Sequence, residues 1–205
     1  MNASSSKQQR SRATRERILR SAEECIALRG YDATSVAEIC TQAEISKGAF
    51  YHHFASKQAV FLELLTSWLG NLSAQMAAIR RSSSSVPEAL ADMAAVVREV
   101  FRAGGHQLHI FLEFLTKAVR DPTIWQSTIQ PYRQYRAYFT RIVEEGIQEG
   151  SLRPVDAEQV AQVLVSLGVG IVFQGILDPH GANWESVTQK AVQLIVDSLR
   201  LEKKT

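Results

Sequence analysis

The sequence predicts an all-α protein of nine helices. Two observations carry that reading. Apolar residues recur at i, i+3 or i+4, and i+7 along the chain, and no segment sustains the period-two alternation of a half-buried strand. Helix punctuation also falls where it should: capping serines and aspartates precede the periodic segments, and glycine or proline follows them.

Taken in order, residues 1–9 are rich in Ser and Gln and predict a disordered arm. Periodicity starts near Thr14, where Ile18, Ala22, Cys25 and Ile26 form one stripe, and Gly30 supplies a left-handed stop. Ser35-Val36-Ala37-Glu38 is a capping box that opens a short second helix ending near Ala43. Ser46 caps a third helix and Ser56 a fourth, which continues through Phe61, Leu64, Leu65, Trp68, Leu72 and Met76 to about Ile79. Pro87 suits the first turn of a fifth helix, closed by "AGG" at 103–105. His106 to Arg120 forms a sixth, stopped by Asp121-Pro122. A seventh spans Thr123 to Glu149, with a kink expected at Pro131 and an end at Gly150. Asp156 and Gln159 open an eighth helix to Leu177, and the turn 178–181 leads to a ninth, Trp184 to about Leu201.

With 205 residues, 45% of them hydrophobic, the chain has enough apolar surface for a packed core. No apolar N-terminal stretch precedes a small-residue cleavage site, so no secretory leader is expected. The run "VAQVLVSLGVGIVFQGIL" (160–177) is just long enough for a bilayer. Its Gln162, Ser166, Gln174 and three glycines point instead to a helix lying between protein neighbours. Cys25 and Cys40 sit in apolar helical patterns and read as core residues in a reducing cytosol. Neither a cofactor nor a resident metal is expected, and the predicted location is cytoplasmic, without a membrane partner.

Charge is uneven, and its distribution says more than the net +2. Lys7, Arg10, Arg12, Arg15, Arg17 and Arg20 face one acid, Glu16, whereas residues 61–205 carry 14 basic and 15 acidic side chains. A positive N-terminal end on a near-neutral body is the footprint of a polyanion-binding head. A solvated arm kept soluble by its charge accounts for the same pattern equally well, and a basic helix on a membrane surface is a more distant reading.

The stretch "EISKGAFYHHFASK" (44–57) decides between these. Three helices in about forty residues, with a tight Ala43-Glu44-Ile45 link, match the helix-turn-helix unit, whose second helix enters the DNA major groove. Gly48 and Ala49 let the backbone approach base edges and the thymine methyl. Lys47 reaches a guanine edge or a phosphate, while Tyr51, His52 and His53 offer donors to phosphate. Ser46, at the cap, joins this group. Lys57 stands at the start of the fourth helix, whose dipole also attracts an anion. Phe50 and Phe54 should pin the unit to the core.

Residues 17–65, "RILRSAEECIALRGYDATSVAEICTQAEISKGAFYHHFASKQAVFLELL", resemble the N-terminal domain of TetR-type transcriptional regulators. The landmarks are the R-G-Y-D-A-T-S link, the S-K-G-A-F-Y-H-H-F recognition helix and the S-K pair opening the fourth helix. The resemblance implies that Ser35, Lys47, Gly48, Ala49, Tyr51, His52, His53 and Lys57 fall on DNA-facing positions. One departure stands out: the family usually places glycine where this chain has Glu44. A left-handed non-glycine there costs about 1–2 kcal/mol, and its carboxylate would lie near the phosphates, so either the turn differs slightly or Glu44 points away from DNA.

The expected organisation is an arm (1–9), a helix-turn-helix domain (10–55) and a ligand-binding and dimerisation domain (56–205). In the last, the eighth and ninth helices are strongly apolar, and Val163, Leu167, Ile171, Leu194 and Ile195 are the candidate interface of a two-fold homodimer, the place where the resembled family dimerises. Aromatics on the fourth to seventh helices would be ordinary core on periodicity alone. The resemblance implies a cavity for a small apolar or amphipathic effector, with Trp68, His109, Glu113, Trp125, Tyr132, Phe173 and Gln174 as candidate lining. The function implied is a ligand-responsive regulator, most simply a repressor, on palindromic double-stranded DNA. An alternative of another class is a small metal-dependent enzyme using His106, His109 and Glu113, which recur at i, i+3 and i+7.

Overall fold

The computed structural model describes residues 3–102, 112–113 and 116–201, and among them the chain is all-α. Eight helices are bounded: α1 (Ala3–Arg29), α2 (Val36–Gln42), α3 (Lys47–His53), α4 (Lys57–Ser82), α5 (Val86–Arg102), α6 (Pro122–Gln148), α7 (Ala157–Leu177) and α8 (Trp184–Leu199). The predicted sixth helix, His106 to Arg120, lies largely outside the described residues, and residues 112–113 and 116–118 within it are helical. The described residues divide into two compact units, Met1–Trp68 with Gly105–Ser127, and Leu69–Gly104 with Thr128–Thr205.

In the first unit α1 is longer than its apolar stripe suggests. The pattern predicts a disordered arm and a start near Thr14, whereas the helix begins at Ala3. No glycine or proline interrupts residues 3–29, and adding residues to an existing helix costs little once its first turn is formed. Local hydrogen bonds support the extra turns: Arg10 Nη2 donates to Ser6 Oγ at 3.1 Å, and Arg12 pairs with Glu16 at 3.2 Å. From Ile18 onward α1 enters the core with Ala22, Cys25 and Ile26. Ile39 and Cys40 of α2, Phe50 of α3, and Val60, Phe61 and Leu65 of α4 meet it there. Each large side chain of this set contributes roughly 1.5–3 kcal/mol by leaving water. Both cysteines are free and buried, and burial raises both thiol pKa values.

The second unit packs α5 along α8, with α7 against both. Its core draws Val86, Leu90 and Met93 from α5, Ile142 and Val143 from α6, Leu164 from α7, and Val196 and Leu199 from α8, around Leu152. Gly146 of α6 faces this core, and a Cβ built there would stand 2.7 Å from Leu152 Cγ and 3.0 Å from Val86 Cβ. α6 runs helical through Pro131. After it, Gly150 adopts φ 74°, and the Ser151 and Leu152 N–H groups both donate to the Gly146 carbonyl. Arg153 then closes the end of α8, its N–H donating to Leu199 O and its Nε to Ser198 O, both at 2.8 Å.

One face of α7 breaks the usual pattern of a surface helix. Ala161, Leu164, Val165, Ile171 and Gly175 are buried, yet on the opposite side Val163, Val169, Phe173 and Leu177 are exposed, Leu177 by 69%. On α8, Val187 and Leu194, two turns apart, are exposed as well, Leu194 by 72%.

Candidate nucleic-acid interface

Local chemistry fixes the helix-turn-helix. Ser35 Oγ accepts the Glu38 N–H at 3.2 Å, and Glu38 Oε2 accepts the Ser35 N–H at 2.8 Å, so α2 starts with the predicted capping box. It ends in a Schellman turn: the Ile45 N–H donates to Cys40 O at 3.0 Å and the Glu44 N–H to Thr41 O at 3.2 Å. Such a turn requires a left-handed residue at Glu44, and its φ is 52°. The turn therefore keeps the geometry a glycine would give it, and Glu44 bears the strain. Ser46 Oγ next accepts the Ala49 N–H at 3.1 Å and opens α3.

Phe50 and Phe54 are buried and hold α3 by its inner side. Lys47, Gly48, Tyr51 and His52 face outward, Tyr51 with 56% of its surface exposed, while Ala49 and His53 are half-buried. Burial depresses the His53 pKa, and the neighbouring His52 and Arg15 add to the effect. A Cβ on Gly48 would meet only Ser46 Oγ, at 3.8 Å. Among the described residues nothing else stands within 4 Å, so the outer side of Gly48 is open.

Lys57 behaves differently from the expectation. Its Nζ donates to the carbonyls of Tyr31 and Thr34 at 2.5 and 2.6 Å and lies 4.1 Å from the Tyr31 ring centroid. Burial lowers its pKa, against the pull of Asp32. Two of its three donors are thus committed to the α1–α2 link rather than presented to a phosphate. Tyr31 is held from further sides: its ring lies 4.4 Å from Phe61, its N–H donates to Glu113 Oε2 at 2.5 Å, and Lys117 bridges to Asp32 at 2.6 Å. None of these partners is near in sequence, so only the fold reveals them.

The other predicted residues sort as follows. Glu113 is engaged by the Tyr31 amide, while His106 and His109 lie outside the described residues. Among the described residues no group of three or more His, Cys, Asp or Glu side chains is placed to hold a metal. In the first unit Trp68 is half-buried and Trp125 is 45% exposed. In the second, Tyr132 Oη accepts from Gln162 Nε2 at 2.7 Å. Phe173 and Gln174 are exposed on α7 rather than turned inward, because Leu164, Ile171 and Gly175 occupy its inner side. Sequence reasoning passes over Tyr138, whose buried hydroxyl has no hydrogen-bond partner among the described residues. Of the candidate interface, Val163 and Leu194 are exposed, Leu167 and Ile195 are half-buried, and Ile171 lies in its own chain's core at 3% exposure. The helical stripe could not separate Ile171 from its neighbours because α7 is apolar all round.

A short helix pinned by two phenylalanines, preceded by a left-handed turn and displaying a lysine, a tyrosine and a histidine around an open glycine, defines a helix-turn-helix protein. Residues 18–64 match the family of bacterial regulatory proteins named tetR, and residues 87–200 match the C-terminal part of BetI-type transcriptional repressors. The HTH-type transcriptional repressor KstR2 of Mycobacterium tuberculosis (strain ATCC 25618 / H37Rv) is 30% identical over 174 residues, 84% of this chain and 79% of that protein. The chain belongs to the tetR family of bacterial transcriptional regulators. Among solved structures, the ketosteroid transcriptional regulator KstR2 of M. tuberculosis superposes with a TM-score of 0.64 at 26% identity, over 92% of this chain and 95% of that one. A transcriptional regulator from Saccharomonospora viridis in complex with choline gives 0.77 at 21% identity, over 92% and 98%. The family and these relatives are regulators, not enzymes, which sets the metal-dependent reading aside.

Proposed function

We propose that this chain is a cytoplasmic, homodimeric repressor that binds a palindromic double-stranded DNA operator through α3 and is released by a small apolar or amphipathic effector. The observation that carries the DNA reading is Gly48: its outer side is open, and it sits among exposed Lys47, Tyr51 and His52. In this reading Lys47 contacts a guanine edge or phosphate, Tyr51, His52 and His53 contact the backbone, and Gly48 and Ala49 admit the bases. Ser35 and Ser46 present their helix starts, and Lys57 holds the head in shape. Residues 10–55 are the DNA-binding part and 56–205 the sensing and pairing part.

Support for the dimer comes from the apolar outer face of α7 and α8, where Val163, Phe173, Leu177 and Leu194 are left to water in a single chain. Two-fold readers of palindromes pair through such self-complementary faces. For the effector, Tyr138, whose hydroxyl has no partner among the described residues, and the Tyr132–Gln162 pair supply polar groups beside apolar ones. A relative named as a ketosteroid regulator and a neighbour solved with choline agree with a small organic molecule. It acts by binding more tightly to the dimer that does not fit the operator, since equal affinity would shift nothing.

The test is to select duplexes from a random pool with the full chain and measure binding by fluorescence anisotropy. Lys47→Ala with Tyr51→Ala should lose at least tenfold in affinity for the selected palindrome. Unchanged binding by that double variant would reject α3 as the reading element.

A further inference from the structure

The N-terminal turns of α1 form a helix that stands free of the core. Residues 6–13 are exposed throughout, and Ile18 is the first buried side chain among the described residues. At 1.5 Å per residue, the stretch from Ala3 to Thr14 extends roughly 17 Å, about the length of five nucleotides along one strand.

Its charges are not all spent within the protein. Arg12 is paired with Glu16, and Arg15 with Glu63. Lys7, Arg10 and Arg17 have no acidic partner among the described residues, and Arg10 bonds only to the neutral Ser6. Lys7, Arg10 and Arg17 recur at i, i+3 and i+10, on one side of the helix.

The position of this helix is fixed by Arg15. Its guanidinium lies 4.8 Å from the ring centroid of Phe54, the residue that ends α3, and its charge is felt by His53. The turns preceding Arg15 therefore emerge beside the C-terminal end of α3. We infer that this free helix is a second DNA-binding element, in which Lys7, Arg10 and Arg17 bind the phosphate backbone flanking the bases that α3 reads. The inference rests on the proposed seating of α3 in the major groove. Charge complementarity and continuity with α3 favour a duplex over a membrane as the occupant.

The experiment compares two duplexes in the full chain: the selected operator cut to its core, and the same operator with several arbitrary base pairs added at each end. Wild type should bind the longer duplex at least tenfold more tightly. The Lys7→Ala/Arg10→Ala/Arg17→Ala variant should lose that gain, and its log K against log [salt] slope should fall by about two to three, near 0.9 for each phosphate that is no longer neutralised. Its base preference within the core should be unchanged. Arg10→Lys/Arg17→Lys should keep the gain, since it keeps the charge. Circular dichroism melts check that the variants fold. Equal affinity of wild type for the two duplexes, or an alanine variant with an unchanged slope, overturns the inference while leaving the α3 reading intact. Failure of wild type to bind any selected duplex fails both. Loss of binding to anionic phosphatidylglycerol vesicles, with no change on DNA, overturns it in favour of a membrane surface.

Discussion

Lys57 and Tyr31 are joined two ways, the ammonium donating to the Tyr31 carbonyl at 2.5 Å and lying over the tyrosine ring, and the same ammonium donates to the Thr34 carbonyl at 2.6 Å. This lysine stabilises the link that orients α2 against α1. Lys57→Ala removes the donor from two carbonyls, a cost of about 1–3 kcal/mol. The expected outcome is a lower melting temperature with no change in the salt slope of DNA binding. Lys47→Ala should do the reverse, leaving the melt alone and reducing the slope by about one. A Lys57→Ala protein that melts like wild type but loses slope would return this residue to the phosphate-binding set.

Glu44 invites the opposite result. It holds φ 52° with its side chain exposed, and no hydrogen bond of that side chain is seen among the described residues, so only the turn's backbone bonds offset the left-handed strain. Glu44→Gly should stabilise the head by roughly 0.5–1 kcal/mol, the strain relieved less the extra freedom of glycine when unfolded. Glu44→Ala retains a Cβ and should bring no such gain. Chemical denaturation followed at the head distinguishes the two.

At the apolar face, Leu194→Glu is the informative change. Because the side chain is 72% exposed within one chain, the substitution should leave the fold and the monomer's melt nearly untouched. In a dimer it places an unpaired charge in the interface, which costs several kcal/mol. Sedimentation at micromolar concentration should show a dimer for wild type and a monomer for the variant. A monomeric wild type would contradict the pairing.

Acid should loosen the head through its capping box. The Ser35 N–H, with its hydroxyl, holds the Glu38 carboxyl below the ordinary value of 4.5, and the Lys117 hydrogen bond holds Asp32 below 3.8. Both groups release their protons more readily when folded, so the unfolded chain takes up more protons as pH falls. Their contribution is complete above about pH 4.5 and fades as pH drops through the lowered folded values. Glu38→Gln keeps a capping side chain without the titration. Its melting temperature should fall less between pH 6 and pH 3.5 than that of wild type.

Gly146→Ala tests the second unit. Leu152 and Val86 leave no room for the added methyl, and overpacking of this kind costs about 1–3 kcal/mol. The effect should appear in the stability of the full chain. DNA affinity at low temperature should stay unchanged.

What the sequence disclosed and what it withheld follow the range of each interaction. Ser35 with Glu38, Ser46, Ser56 and Asp156 were legible as helix starts because a cap is made within four residues, and each is in place. Glu44 stood out through its position in the helix-turn-helix, and its φ of 52° shows that the turn itself is kept. The role of Lys57 was not legible, since its acceptors lie 23 and 26 residues away, and the Glu113–Tyr31 bond spans 82. The first turns of α1 escaped notice for another reason: a helix without an apolar stripe gives periodicity nothing to detect. On α7 the opposite excess, apolar residues on every side, hid which ones face inward.

The two cysteines carry a practical consequence. Cys25 and Cys40 are buried with their thiols held protonated, so a thiol-directed probe finds no reactive native group on the folded chain. A single cysteine introduced at exposed Ala55, between α3 and α4, would take a spin label selectively. In a homodimer each copy then carries one label, and the distance distribution between them becomes a ruler for the spacing of the two heads, readable with operator, with effector, or with neither.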